Sequence, residues 1–376
     1  MASRLPSAPP VLPGFAYVRP LGTGGFADVF LFEQHLPRRS VAVKVLLDEI
    51  VDDGVRSMFN AEADVMARLG AHPSILTIYE ASVSSDGRPY LVMEYCPTSL
   101  TTRYRRERIP VDDVLQLGVK IGSALESAHQ AGVLHRDIKP SNVLISAFGA
   151  PVLSDFGIAA ALDGRTGGGR VFAMSLPWSA PEVVDEQVSG SIASEVWSLG
   201  ATLYSLLAGH SPFELPSRDR NTRDQLRERI RRARYQPIPR DDVPDGLQWA
   251  LARTMSRRPE DRHASVAELV HELQQIQLEC GLHPTPHEIA HGVPRLVDAG
   301  PDAHDPGPRG PVRSTVAHPS RRPARTGARR AGPLAPADDG RERRSSRAVA
   351  TAVVAGTLAV VIIGTLAALS LSGAWS

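Results

Sequence analysis

Val133-Leu134-His135-Arg136-Asp137-Ile138-Lys139-Pro140-Ser141-Asn142-Val143-Leu144 is the stretch on which the reading of this chain turns. It follows a segment in which Val114, Leu117, Ile121, Leu125 and Ala128 recur at helical spacing, the mark of an amphipathic helix. That helix is expected to stop at Gly132, because glycine readily takes the left-handed conformation that ends a helix. Asp155-Phe156-Gly157 stands thirteen residues beyond Asn142, and a glycine-rich loop then runs to Ala180-Pro181-Glu182.

Working towards the N-terminus, Leu21-Gly22-Thr23-Gly24-Gly25-Phe26-Ala27-Asp28-Val29 is a glycine turn between strand-like runs. Glycines there let backbone amides approach phosphate without a Cβ in the way. A dinucleotide site would need a helix to open at the glycines, whereas Val29–Phe32 reads as a second strand, so a hairpin is expected. Val41-Ala42-Val43-Lys44-Val45 alternates and is β-branched, a further strand. Val55–Leu69 reads as a helix whose stripe of Val55, Met58, Phe59, Val65, Met66 and Leu69 also includes Glu62. A carboxylate on a buried face is costly unless a cation meets it, and Lys44 is available. The alternative is a solvated Glu62 at the edge of the stripe.

The ordered set H-R-D-x-x-x-x-N, D-F-G and A-P-E, behind a glycine-rich hairpin and a V-A-x-K strand, is the protein-kinase signature. From about Tyr17 to Leu278 the chain resembles bacterial Hanks-type serine/threonine protein kinases. The resemblance implies an α+β, two-lobed fold, with a β-rich small lobe to about Tyr95 and a helical large lobe from about Ser99. It also implies ATP with Mg²⁺, Mn²⁺ being an acceptable substitute, and protein substrates. Gly22, Gly24 and Gly25 would cover the phosphates, and Lys44, paired with Glu62, would hold the α- and β-phosphates. Asp155 and Asn142 would ligate the metal, as oxygen donors suited to a hard ion. Asp137 would accept the proton of the attacking hydroxyl, and Lys139 would neutralise charge on the moving phosphoryl group. Leu21, Val29, Ala42 and Leu144 would face the adenine, with Met93 as gatekeeper and Glu94 to Cys96 as hinge. Arg262 would pair with Glu182. Ser265-Val266-Ala267-Glu268 reads as a capping box opening the last helix.

Lysine usage supports the two ammonium positions independently. Only Lys44, Lys120 and Lys139 are lysines among 42 basic residues; random assignment would place lysine at both motif positions in roughly 1 case in 300. An ammonium on phosphate is not interchangeable with a guanidinium.

Three departures from the family pattern stand out. Ala27 replaces a third glycine and should stiffen the loop slightly. Ser175 fills the usual threonine position before Ala-Pro-Glu. Glu195 stands where an aspartate usually braces the catalytic loop, and its extra methylene is expected to shift that loop and lower the rate. Glu195 is also the support for a rival reading, a pseudokinase that docks partners without useful turnover. A third reading, a small-molecule phosphotransferase, is opposed by Lys139 and the Ala-Pro-Glu segment. Arg136 is the form that pairs with a phosphorylated activation loop, and Thr166 beside Gly167-Gly168-Gly169 is the expected autophosphorylation site.

Composition bounds the rest. The chain has 376 residues, 42% apolar and 22% charged, with a formal charge of +1. There is no global excess of charge to suggest a nucleic-acid partner. Two cysteines, Cys96 and Cys280, exclude a disulfide scaffold and a four-cysteine zinc site. Residues 1–14 lack a secretory h-region and are expected to be disordered. Residues 15–278 have globular texture, and 279–347, rich in Pro, Gly and Arg, read as a disordered juxtamembrane linker. The uncharged run 348–371 covers 24 residues, which as a helix would reach about 36 Å, enough to span a bilayer. Arg341, Arg343, Arg344 and Arg347 precede it, so the positive-inside rule places the kinase part in the cytoplasm and residues 372–376 outside. The expectation is thus a single-pass cell-membrane protein in contact with inner-membrane lipid. Gly356 and Gly364 leave a homodimer open but are off GxxxG spacing.

Overall fold

The computed structural model describes residues 4–48, 53–156 and 175–289. Gly157, Thr166, most of the expected linker, the apolar run 348–371 and the tail 372–376 lie outside them. No helix among the described residues is long and apolar enough to cross a membrane.

The alternating runs at the start of the chain form β1 (Phe15–Thr23), β2 (Ala27–Gln34) and β3 (Arg39–Leu46). After α1 (Asp53–Leu69) come β4 (Ile78–Val83) and β5 (Pro89–Glu94), and the five strands make an antiparallel sheet in the order β1-β2-β3-β5-β4. Strand side chains alternate between faces. Phe30, Phe32, Val41, Val43, Val45, Tyr90 and Val92 therefore cluster together, while Ala27, Leu46 and Leu91 meet Phe59 and Ala63 of α1 in a second cluster.

A small antiparallel sheet, β6 (Thr98–Ser99), β7 (Val143–Ile145) and β8 (Pro151–Leu153), opens the second lobe. Helices follow the motif order: α2 (Leu100–Arg106), α3 (Val111–Gln130), α4 (Pro181–Val184), α5 (Ile192–Ala208), α6 (Arg223–Arg232), α7 (Asp245–Thr254) and α8 (Val266–Glu279). Gly132, at φ +75°, ends α3 as expected, with Val133 N–H bonded back to the Ala128 carbonyl at 2.9 Å. Close approach then sets the helix packing: a Cβ on Gly122 of α3 would lie 2.4 Å from Val270 Cγ2 of α8. The middle of the lobe is α5, which buries Trp197 and Tyr204 completely.

Three expectations are corrected. Residues 4–14 are not disordered: Leu12 is 3% exposed among Phe30, Phe32 and Val41, an anchor that a Pro-rich composition does not reveal. Residues 282–289 also fold back, as Thr285 exchanges hydrogen bonds with Gln277 at 2.8 Å and Glu288 pairs with Lys120 at 2.9 Å. Finally, Ser265 caps α8 by accepting from Glu268 N–H, but the Glu268 carboxylate turns to Ala264 N–H at 2.7 Å, so the box is not reciprocal.

Candidate active site

Lys44 leaves the middle of β3 on the face towards α1, and Glu62 leaves α1 towards it. Lys44 Nζ lies 2.9 Å from Glu62 Oε1 and 2.9 Å from Asp155 Oδ1. The solvated alternative for Glu62 is thereby excluded: its side chain is 16% exposed and ion-paired. Burial opposes the Lys44 charge, yet Asp155 and Glu62 outweigh it and hold the ammonium's pKa above the ordinary lysine value. Lys44 in turn pulls Asp155 below the usual carboxylate range against burial. Glu62 is pushed up by burial and by the competing Asp155 charge, with Lys44 opposing.

The catalytic-loop motif is organised by its own polar groups. His135 is fully buried and packs in a tilted arrangement against Phe156, at 4.7 Å between ring centroids. Its Nδ1 accepts from Asp137 N–H at 3.2 Å, so Nε2 carries the proton and donates it to the Ser154 carbonyl at 2.9 Å. Ser154 N–H is bonded to the Asn142 carbonyl at 2.9 Å, which brings the segment before Asp155 against the one bearing Asn142. The Asn142 amide donates to the Asp137 carbonyl at 2.8 Å and to Asp137 Oδ2 at 3.0 Å. Lys139 Nζ reaches Asp137 Oδ2 at 2.6 Å and Ser175 Oγ at 2.7 Å.

Three carboxylates, Glu62, Asp137 and Asp155, and the two ammonium groups of Lys44 and Lys139, far apart in sequence, thus gather in one cleft, and Lys139 contributes to the field that lowers Asp155. Asn142 donates through its nitrogen, and among the described residues its Oδ1 faces only the Ser141 hydroxyl at 3.3 Å. Asp155 Oδ2 meets, among the described residues, the Ser154 hydroxyl at 3.4 Å, and its side chain is 46% exposed. These two oxygens fit a hard divalent ion. Among the described residues no three acidic, histidine or cysteine side chains converge to hold a metal on their own, so phosphate oxygens and water would have to complete its shell.

The expected adenine-facing residues also come together. Ala42 and Met93 lie in the large core cluster, and Leu21, Val29, Cys96 and Leu144 pack against it. Burial pushes the Cys96 thiol up to about 12, helped by Glu94, so it stays protonated and unreactive. Gly22 ends β1, and Gly24 N–H closes the turn onto the Ala27 carbonyl at 2.8 Å. Gly24 is tight there, since a Cβ would meet that carbonyl at 3.0 Å, whereas Gly25 faces open space. The Ala27 methyl is buried against α1, which gives the departure from glycine a packing role.

Glu195 lies where the catalytic loop meets α3. It is 2% exposed, accepts Arg136 N–H through Oε1 at 2.6 Å, and accepts the His129 Nε2 proton through Oε2 at 2.6 Å. Its longer arm spans a backbone amide at φ +66° and an imidazole on α3. His129 was not singled out from sequence, because only its distance from Glu195 in space makes it informative.

A protein kinase domain model matches residues 15–275. The chain belongs to the protein kinase family. Serine/threonine-protein kinase PknK of Mycobacterium bovis is 40% identical over 301 residues, covering 77% of this chain and 26% of the relative. Serine/threonine-protein kinase PknB of Mycobacterium leprae is 33% identical over 262 residues, covering 66% of this chain and 40% of the relative. The probable serine/threonine-protein kinase CPE1738 of Clostridium perfringens is 28% identical over 267 residues, covering 68% and 37%. The chain therefore spans about a quarter to two fifths of the length of these relatives. The anchoring ion pair of the family's large lobe is also in place: Arg262 grips Glu182 through two bonds of 2.7 and 2.8 Å, with Arg262 buried.

Proposed function

We propose that this chain is an ATP-dependent serine/threonine protein kinase that transfers the γ-phosphoryl group to protein hydroxyls at the cytoplasmic face of a membrane. The observation that carries the reading is Lys44 holding both Glu62 and Asp155 at 2.9 Å, which aligns the α1 carboxylate, the ammonium and a metal-competent carboxylate on one cleft. A divalent ion held there would supply charge neutralisation for the phosphates of ATP. Lys44 would orient the α- and β-phosphates, while Asn142 and Asp155 would present oxygens to the ion. Asp137, oriented by Asn142 and Lys139, would take the proton of the substrate hydroxyl as its oxygen bonds to phosphorus and the bond to the ADP oxygen breaks. Lys139, already seated between Asp137 and Ser175, would stabilise the developing negative charge.

The hydrogen bonds that tie Glu195 to Arg136 N–H and His129 favour the kinase reading over a pseudokinase. Radiolabelled ATP should label the wild-type chain and an added Ser/Thr peptide, and Asp137→Asn should abolish both signals. Equal labelling by the two proteins would refute the kinase reading.

The membrane part of the proposal rests on the composition of 348–371 and the four arginines before it. In carbonate-washed membranes the full chain should remain in the pellet, whereas a chain ending at residue 347 should be soluble and active. Recovery of the full chain in the wash would refute the anchor. Arg136 Nε is buried with no partner among the described residues, which suits a phosphorylated loop residue, and Thr166 is our candidate.

A further inference from the structure

Among the described residues of the small lobe, Asp28 is the carboxylate that phosphoryl transfer does not use and that is nevertheless 0% exposed. Alternation along β2 puts it on the same face as Phe30 and Phe32, opposite Val29, whose side chain packs on the core lining the cleft. It pairs with Thr23 across the hairpin, the last β1–β2 pair before the glycine-rich turn. A carboxylate this buried requires compensation, and both its side-chain partners come from residues before the matched domain. Arg4 forms an ion pair with Oδ1, and Ser7 N–H donates to Oδ2 at 2.7 Å.

The same short segment is fastened at two further points. Arg88, 6% exposed at the entry to β5, donates to the Ala8 carbonyl at 2.9 Å and to Ser7 Oγ at 3.3 Å while pairing with Asp86. Leu12 is inserted among Phe30, Phe32, Tyr90 and Val92. Residues 4–12 therefore tie the start of β2 to the β4–β5 hairpin. Within the turn, Gly22 and Gly25 face open space and Phe26 is 43% exposed, while Gly24 N–H is bonded to the Ala27 carbonyl at 2.8 Å and the Phe26 carbonyl to Leu47 N–H at 3.0 Å.

We propose that residues 4–12 are a strap and Asp28 its latch, a positioning residue that sets the glycine-rich turn over the nucleotide. The inference rests on the ATP reading above. In the free chain the strap restrains the outer face of the hairpin, so less ordering remains when nucleotide binds beneath it.

The test uses the full chain with Arg4→Ala, Arg4→Lys, Asp28→Asn and the double variant Arg4→Ala/Asp28→Asn. Readouts are KM for ATP, KM for peptide, kcat, the Kd of a fluorescent ATP analogue, and amide exchange over residues 22–29. Arg4→Ala leaves the buried carboxylate without its cation, so KM for ATP and the analogue Kd should rise about 3- to 10-fold, with faster exchange at the turn. Peptide KM and kcat at saturating ATP should stay within about twofold, and Arg4→Lys should recover most of the loss. The double variant should be no worse than Asp28→Asn alone, because no buried charge is stranded. A lowered melting temperature with unchanged KM for ATP would overturn the proposal, leaving the strap as scaffold, as would equal losses in kcat and both KM values. If the wild type neither binds the analogue nor phosphorylates, the ATP reading itself has failed, whereas normal wild-type binding with indifferent variants defeats only the strap.

Discussion

The family pattern and the structure predict opposite outcomes for Glu195→Asp. If the extra methylene of Glu195 were a defect, restoring the family's aspartate should raise the rate. In the structure that methylene lets one carboxylate span Arg136 N–H and His129 Nε2, both at 2.6 Å. An aspartate is shorter by one C–C bond, about 1.5 Å, so it can keep one of the two bonds and not both. The lost bond strands a buried donor at a cost of about 1–3 kcal/mol, and the missing methylene removes about 0.8 kcal/mol of burial. The sum, about 2–4 kcal/mol, is a large share of the 5–15 kcal/mol typical of a whole domain.

Retaining the His129 bond would release Arg136 N–H, whose residue sits at φ +66° immediately before Asp137. A displacement of about 1 Å at such a loop can cost up to a hundredfold in rate. We therefore expect Glu195→Asp to lower the urea midpoint without changing the slope and to reduce kcat by at least about tenfold. With His129→Ala as the second arm of a double-mutant cycle, the two substitutions should be strongly non-additive. A Glu195→Asp enzyme with unchanged stability and equal or higher kcat would refute this reasoning.

Three further outcomes follow from single contacts. Gly200→Ala on α5 would place its Cβ 2.0 Å from Thr254 Oγ1 and 2.7 Å from Thr254 Cβ, so calorimetry should show a loss of about 1–3 kcal/mol or failure to fold; a neutral variant would mean the helices are not this close. Arg262→Lys cannot reproduce the two-bond grip on Glu182 in a site where Arg262 is 0% exposed, and breaking such a buried pair should cost about 3–5 kcal/mol in urea unfolding. For Lys44→Met, the sign follows from Asp155, whose folded pKa lies below the unfolded value because of Lys44. Its stabilisation is fully present above about pH 4 and disappears only as pH falls through the lowered folded value, so the stability gap between wild type and variant should be wide at pH 6 and shrink progressively as the pH is taken below about 4; a gap that stays constant down to the onset of acid unfolding would contradict the pairing.

What could be read in advance was whatever repeats locally or falls in a fixed order. Alternation over Val41–Val45 and the helical stripe of α1 identify their elements because each apolar position adds to a short-range sum. Glu62 was legible for a related reason, since a carboxylate on an apolar stripe demands a cation and lysine is so scarce here that Lys44 stood out. Asp28 carried the same kind of signal, falling in step with Phe30 and Phe32 on β2, but its partners lie in a Pro-rich segment with no periodicity of its own. Arg4 and Ser7 matter through one guanidinium and one backbone N–H, neither of which composition records. The pair Glu195–His129 was hidden likewise, by 66 residues of intervening chain and by a helix crossing that no local pattern encodes. Buried polar contacts are pairwise and long-range, and they fail to be anticipated wherever the second partner is ordinary. The practical consequence is directional: a charged residue in phase with an apolar face shows that a partner must exist, and the fold is then needed only to say which one.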